Sequence, residues 1–118
     1  MAVNMPSGWP KEVRPPGSAG WEATAITWLL DLAPEYRQYD VVRRHPVILA
    51  LIVRHHVHGS VEGARAGYRT IRTELAEHAP PHALDAALKA YRTEGRRLGA
   101  IERAVDLVER ALRGGPYT

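Results

Sequence analysis

Three groups of residues have types and spacings that could do chemistry. His55, His58 and Glu62 stand at i, i+3 and i+7, on one face of a helix, and a hairpin register places Glu102 and Asp106 opposite them. Imidazoles beside carboxylates can ligate a first-row divalent cation, and helical bundles build metal sites from facing side chains in this way. The paired Glu-x-x-His motif of a di-metal site is missing, and His56 lies off the face, so a solvated His/Glu ion-pair face explains the pattern more simply. In the second group Lys89, Arg96, Arg103 and Arg110 recur every seven residues. Arg92 and Arg113 flank them, and Arg65, Arg69 and Arg72 form a second cluster. Such a stripe can follow a phosphate backbone. Asp85, Glu102, Asp106 and Glu109 lie beside it, however, and no aromatic residue interleaves with it to stack bases. The solvated outer face of a bundle looks the same. Third, Glu94 falls at an inward helical position within reach of Arg65 and Arg69, which reads as a buried pair that fixes register.

No catalytic constellation joins these groups. There is no Gly-rich phosphate loop, no Ser/His/Asp set at an elbow and no Cys/His zinc pattern. His45-Pro46 reads as a cap or a packed side chain. Cysteine is absent, which removes disulfides and thiolate chemistry. No cofactor is implied.

The 118 residues suffice for one domain with one modest core, and 45% apolar with 25% charged residues is ordinary for a soluble globular protein. Phenylalanine is missing, so three tryptophans and five tyrosines supply the aromatic bulk. The net charge is +3, and all but two of the 16 basic residues are arginine, a bias that a GC-rich genome also produces. The longest strongly apolar run, Val47 to Val53, is far short of the ~20 residues of a membrane span. Met1 to Pro10 has neither the basic nor the apolar region of a signal peptide, so a cytoplasmic protein is expected.

The elements that must position these residues follow from periodicity and proline. Residues 1–18 hold four prolines and read as an extended Pro/Gly-rich arm, which Trp9 and Val13 can pin along the body. A helix is expected from Ala19 to Ala33, ended by Pro34, apolar on more than one side except for a stripe at Thr24, Thr27 and Asp31. A turn covers 34–40, and Asp40 caps one short helical turn. Pro46 opens a long helix to about Ala79 with inward positions Val47, Ala50, Arg54, Val57, Val61, Ala64, Tyr68, Ile71 and Leu75. After Pro80-Pro81 a second long helix runs to Arg113, with a seam of Leu84, Ala87, Tyr91, Glu94, Leu98, Ile101, Val105, Val108 and Leu112, and stops at Gly114-Gly115. The expected fold is all-α: a short helix plus a long antiparallel hairpin in one domain, 19–113, with a tail at 114–118. Partners across the hairpin should have numbers summing to about 160, at 1.5 Å per residue along each rod.

The flank beside this seam is built of small residues: Ser60, Gly63, Gly67 and Thr70 on one rod, and Ala83, Ala86, Ala90, Thr93, Ala100, Ala104 and Ala111 on the other. Gly59, Gly63, Gly67, Gly95 and Gly99 each cost roughly 1 kcal/mol against alanine inside a helix. Close helix packing along the i±4 ridge would offset that cost, and a kink near Gly59-Ser60 is the alternative. The short first helix covers only about half of the flank, so a second copy is expected to cover the rest through Ser60, Gly63, Gly67, Ala86, Ala90, Thr93, Ala100 and Ala104; a three-helix monomer with the N-terminal arm laid over the remaining surface is the rival. This points to a homodimeric, non-enzymatic interaction or adaptor module, without a membrane, in which Trp9 and the arm contact a protein partner or clasp the neighbouring subunit. The alternatives are a nucleic-acid binder using Lys89, Arg92, Arg96, Arg103 and Arg110, and a metal-binding bundle using His55, His58, Glu62 and Glu102.

The segments WPKEVRPPGSAGWE (Trp9 to Glu22), TWLLDLAPEYR (Thr27 to Arg37) and RRHPVILA (Arg43 to Ala50), with the later AGYRTIRTEL and LVERALRGG, cover much of the chain. Together they resemble a group of short uncharacterised helical proteins of actinobacteria. The resemblance implies a high-GC bacterial, cytoplasmic origin and carries over no catalytic or binding residue.

Overall fold

Proline sets most of the boundaries. In the computed structural model of the chain, which describes residues 5–115, α1 spans Trp21–Leu32, α2 Asp40–Arg44, α3 Pro46–Leu75 and α4 Pro81–Leu112, with a 3-10 turn at Pro34–Gln38. No strand occurs among the described residues. Gly20, at φ 75°, turns the chain into α1 through the left-handed region that glycine enters freely. Pro34 stops that helix, and Pro46 and Pro81 sit in the first turns of α3 and α4, where no amide donor is needed.

The long helix α3 ends at Leu75, the last residue of its apolar series and a turn short of the expected boundary at Ala79. The amides of His78 and Ala79 both reach back to the Leu75 carbonyl, at 2.9 and 3.1 Å, and tighten the chain into the reversal. Pro80 is extended (φ −69°, ψ 153°) and disfavours the α region at Ala79 before it, so the helix gives way early. Neither long helix breaks at a glycine; α3 runs continuously through Gly59-Ser60.

The two rods pack antiparallel in the expected register. His58 meets Glu102, Tyr68 meets Arg92 and Arg72 meets Asp85, each pair summing to about 160 as two rods rising 1.5 Å per residue require.

The core lies at the base of this hairpin, at the end away from the Pro80-Pro81 reversal. Ala25, Trp28 and Leu29 of α1 and Val42 of α2 pack with Leu49, Ala50, Val53 and Val57 of α3 and Ala104, Val105 and Val108 of α4. Toward the tip the packing thins. Between Val61 and Ala104, Leu84 is the only buried residue among those described. The molecule measures 57 × 34 × 19 Å with a radius of gyration of 17.5 Å. A compact chain of this length would have about 13.5 Å. The hairpin therefore projects from a small globular base.

The N-terminal arm belongs to that base. It is a chain of turns rather than a polyproline rod: Trp9 N–H bonds Pro6 O, Val13 N–H bonds Pro10 O and Ser18 N–H bonds Pro15 O. Val13 is buried in the core. The Trp9 indole donates to Val13 O at 3.0 Å and packs on Trp21, ring centres 6.3 Å apart. Thr24, from the polar stripe of α1, accepts the Arg14 amide at 3.0 Å and clips the arm to the helix. Trp9 thus holds its own arm in place.

Candidate functional site

The histidine and carboxylate group assembles only in part. His58 Nδ1 lies 2.8 Å from Glu102 Oε2, joining α3 to α4. Glu62 turns instead to Arg65 on its own helix, at 2.8 Å. His55 shares a shallow depression with His58, Glu102 and Asp106, but Arg54 and Arg103 line it too, and two guanidinium groups repel a cation there. Among the described residues no group of three His, Asp or Glu side chains is placed to hold a metal ion.

The expected buried pair at Glu94 does not form. Glu94 is exposed and pairs with Arg97 on the same helix at 2.8 Å. The buried carboxylate is Glu109, at 2% exposure. Its Oε1 lies 3.1 Å from Arg54 Nη1 of α3, and its Oε2 lies 2.7 Å from Arg113 Nη2. Oε1 has charge contact but no hydrogen bond of proper geometry. The position follows Val108, one residue or about 100° off the apolar seam, where sequence spacing reads as surface; the core closes over it at the base. Both partners are arginine, and the arrangement ties α3 to α4.

The small-residue flank divides in two. Ala104 and Ala111 are buried at the base, so Ala104 belongs to the chain's own core and is not free for a partner. Ser60, Gly63, Ala86, Ala90, Thr93 and Ala100 remain exposed. By helical repeat, Ser60 continues the face of Val53, and Ala90 that of Ala104, beyond the reach of the 12-residue α1. Here the two rods leave an apolar groove of about 620 Å³ floored by Ala64, Ile71, Ala87, Ala90 and Leu98, with Ser60 on its wall.

The helix-interior glycines do different things from one another. A Cβ built on Gly67 would lie 2.4 Å from Cζ of Tyr91, so Gly67 exists to let that ring cross the hairpin. This is packing within the chain, not self-association. Cβ atoms on Gly59, Gly63 and Gly95 would meet nothing within 4 Å, and one on Gly99 only the Arg103 guanidinium. Close packing therefore accounts for one of the five.

The opposite face of the hairpin carries the basic residues. Arg65 and Arg69 of α3 and Arg92, Arg96 and Arg103 of α4 line a groove of about 610 Å³ whose floor includes Val61, Ala64, Gly95 and Gly99. Tyr68 and Tyr91 also line it. The Arg92 guanidinium stands 5.8 Å over the Tyr68 ring centre, and Tyr68 is 41% exposed. Aromatic rings do accompany the arginines, contributed by the facing helix and by the seam rather than by the stripe itself. Of the stripe, Arg92, Arg96 and Arg103 enter the groove, whereas Arg110 is drawn to Asp106 at 2.9 Å and Lys89 lies outside it.

Comparison with known protein families, with curated proteins and with solved structures finds no match to this chain. Among the described residues no helix is long and apolar enough to cross a membrane.

Proposed function

We propose that the chain is a non-enzymatic interaction module that self-associates as a homodimer through the exposed part of its small-residue flank. The observation that carries this reading is the apolar groove of Ala64, Ile71, Ala87, Ala90 and Leu98, which lengthens the bed of the core but is covered by no described residue of the chain. Small side chains there let another helix approach closely, as bundle packing requires.

The size of the uncovered surface supports a second copy as occupant. The chain exposes 7714 Å², whereas a compact protein of 13.1 kDa would expose about 6,400 Å². The surplus of about 1,300 Å² belongs to the elongated outline as a whole and leaves room for the ~800 Å² per partner of a standard interface. A two-fold related hairpin presents the same flank to itself, which satisfies the self-complementarity of an isologous dimer. The reading as an adaptor follows, since the base carries the core and leaves the projecting rods as recognition surface.

Ala90→Arg tests this reading. The residue is exposed in the single chain, so helix content should be unchanged while sedimentation shifts to the single-chain mass. Unchanged mass in this variant contradicts an interface at that groove.

A further inference from the structure

We propose that the arginine groove on the face opposite the apolar one binds a single strand of nucleic acid, its phosphates held by Arg69, Arg92, Arg96 and Arg103. The first support is charge without compensation. Seven other arginines of the described chain pair with carboxylates, Arg65 among them. These four have no carboxylate of the described residues within ion-pair distance, although the only acid in the groove, Glu102, is close by and turned to His58. Four guanidinium groups set along one groove by two helices make a run of positive potential that an anionic chain would neutralise.

The second support is the floor. Gly95 and Gly99, one turn apart on α4, disfavour a helix interior; the missing side chain of Gly95 leaves open space, and that of Gly99 leaves room beside the Arg103 guanidinium, 3.8 Å from where a Cβ would stand. That space is the groove. Without Cβ atoms the floor drops to the helix backbone, so a ligand can sit between the arginine walls instead of on their tips.

Shape and aromatic content favour a strand over other phosphates. From Arg92 to Arg103 the groove runs about 16 Å at 1.5 Å per residue, long enough for a few nucleotides of an extended strand. Walls from α3 and α4 on either side admit one backbone, while a duplex would ride on the ridges. Tyr68, 41% exposed with Arg92 over its ring and bonded to its hydroxyl, brings an aromatic side chain to one end of the groove, the usual complement to a basic track in single-strand binding.

The test is fluorescence anisotropy of a labelled 12-nucleotide oligothymidylate with the full-length chain. Binding should weaken about 50-fold between 50 and 200 mM salt, since four neutralised phosphates on a single strand give a log–log slope near −3. Arg96→Glu with Arg103→Glu should reduce affinity at least 30-fold. Lys11→Glu with Arg44→Glu, the same change in net charge outside the groove, should reduce it less than threefold. Gly95→Leu should fill the floor and weaken binding at least fivefold, with helix content intact because its surroundings are open. No binding at 50 mM salt overturns the proposal. So does equal affinity for the duplex, or displacement of the strand by tripolyphosphate at equal phosphate concentration. Equal losses in the two charge-reversal pairs would overturn it too, by tracing the binding to net charge. The flank used for self-association lies on the other face, so Ala90→Arg should leave this affinity within threefold; a larger loss also counts against an autonomous groove.

Discussion

Replacing glycine by alanine at two sites of the same hairpin should move stability in opposite directions. In a helix interior the exchange gains roughly 1 kcal/mol from propensity alone. At Gly95 the new methyl meets nothing within 4 Å, so the whole gain is retained. For a chain of 118 residues that is a rise in melting temperature of about 4 °C. At Gly67 the methyl would lie 2.4 Å from Tyr91 Cζ and 2.8 Å from Cε1, inside any tolerable contact, and the ring must swing out of the hairpin. Exposing about half of a tyrosine that buries ~150–200 Å² costs about 2 kcal/mol at 25 cal/mol per Å². The net effect of Gly67→Ala is a loss of about 1 kcal/mol, so the two variants should differ by about 8 °C. Thermal unfolding followed by circular dichroism, at one fixed protomer concentration, reads this directly. Tyr91→Ala should then convert Gly67→Ala from destabilising to stabilising, the coupling expected of touching residues. Equal shifts of like sign at Gly67 and Gly95, or additivity of Gly67→Ala with Tyr91→Ala, would refute the assignment of Gly67 to the Tyr91 crossing.

Two further outcomes follow from the base. Glu109→Met should change stability by less than about 1 kcal/mol, because Arg54 and Arg113 are 39% and 52% exposed and can turn to water once the acid is gone; Arg54→Met with Arg113→Met strands the buried carboxylate and should cost about 3–5 kcal/mol by chemical denaturation. The reverse order of these two losses would contradict the account of the pair. Thr24→Val removes the acceptor for the Arg14 amide and should cost about 1 kcal/mol while speeding tryptic cleavage after Lys11, the bond after Arg14 being blocked by Pro15; an unchanged digestion rate would show that Val13 and Trp9 hold the arm without it.

Periodicity carried the helices because long amphipathic rods announce themselves through many residues at once. Both proline-opened helices and the hairpin register were readable in this way, since Pro46, Pro81 and the seam residues all constrain the same geometry. What the sequence concealed depends on where along a rod the chain folds over it. Glu94 falls on the seam and Glu109 one residue off it, yet the first is solvated at the thin part of the hairpin and the second is closed in at the base. Helical phase alone points the wrong way for both. The aromatic partner of the arginine stripe was hidden for a related reason: Tyr68 belongs to the other helix, and only the register across the hairpin brings it to Arg92. The glycines share a spacing but not a role, because spacing places them on a face and says nothing of what stands opposite. The arm likewise read as a proline-rich tail, while its order comes from single contacts of Trp9, Val13 and Thr24 that no period reveals.

Solution mass of the full chain, by light scattering or sedimentation equilibrium at micromolar concentration, tests self-association most directly. A species of about twice the 13.1 kDa chain mass, dissociating on dilution, is predicted. A single-chain mass that persists into the high micromolar range would contradict the account and leave the exposed flank without its second copy.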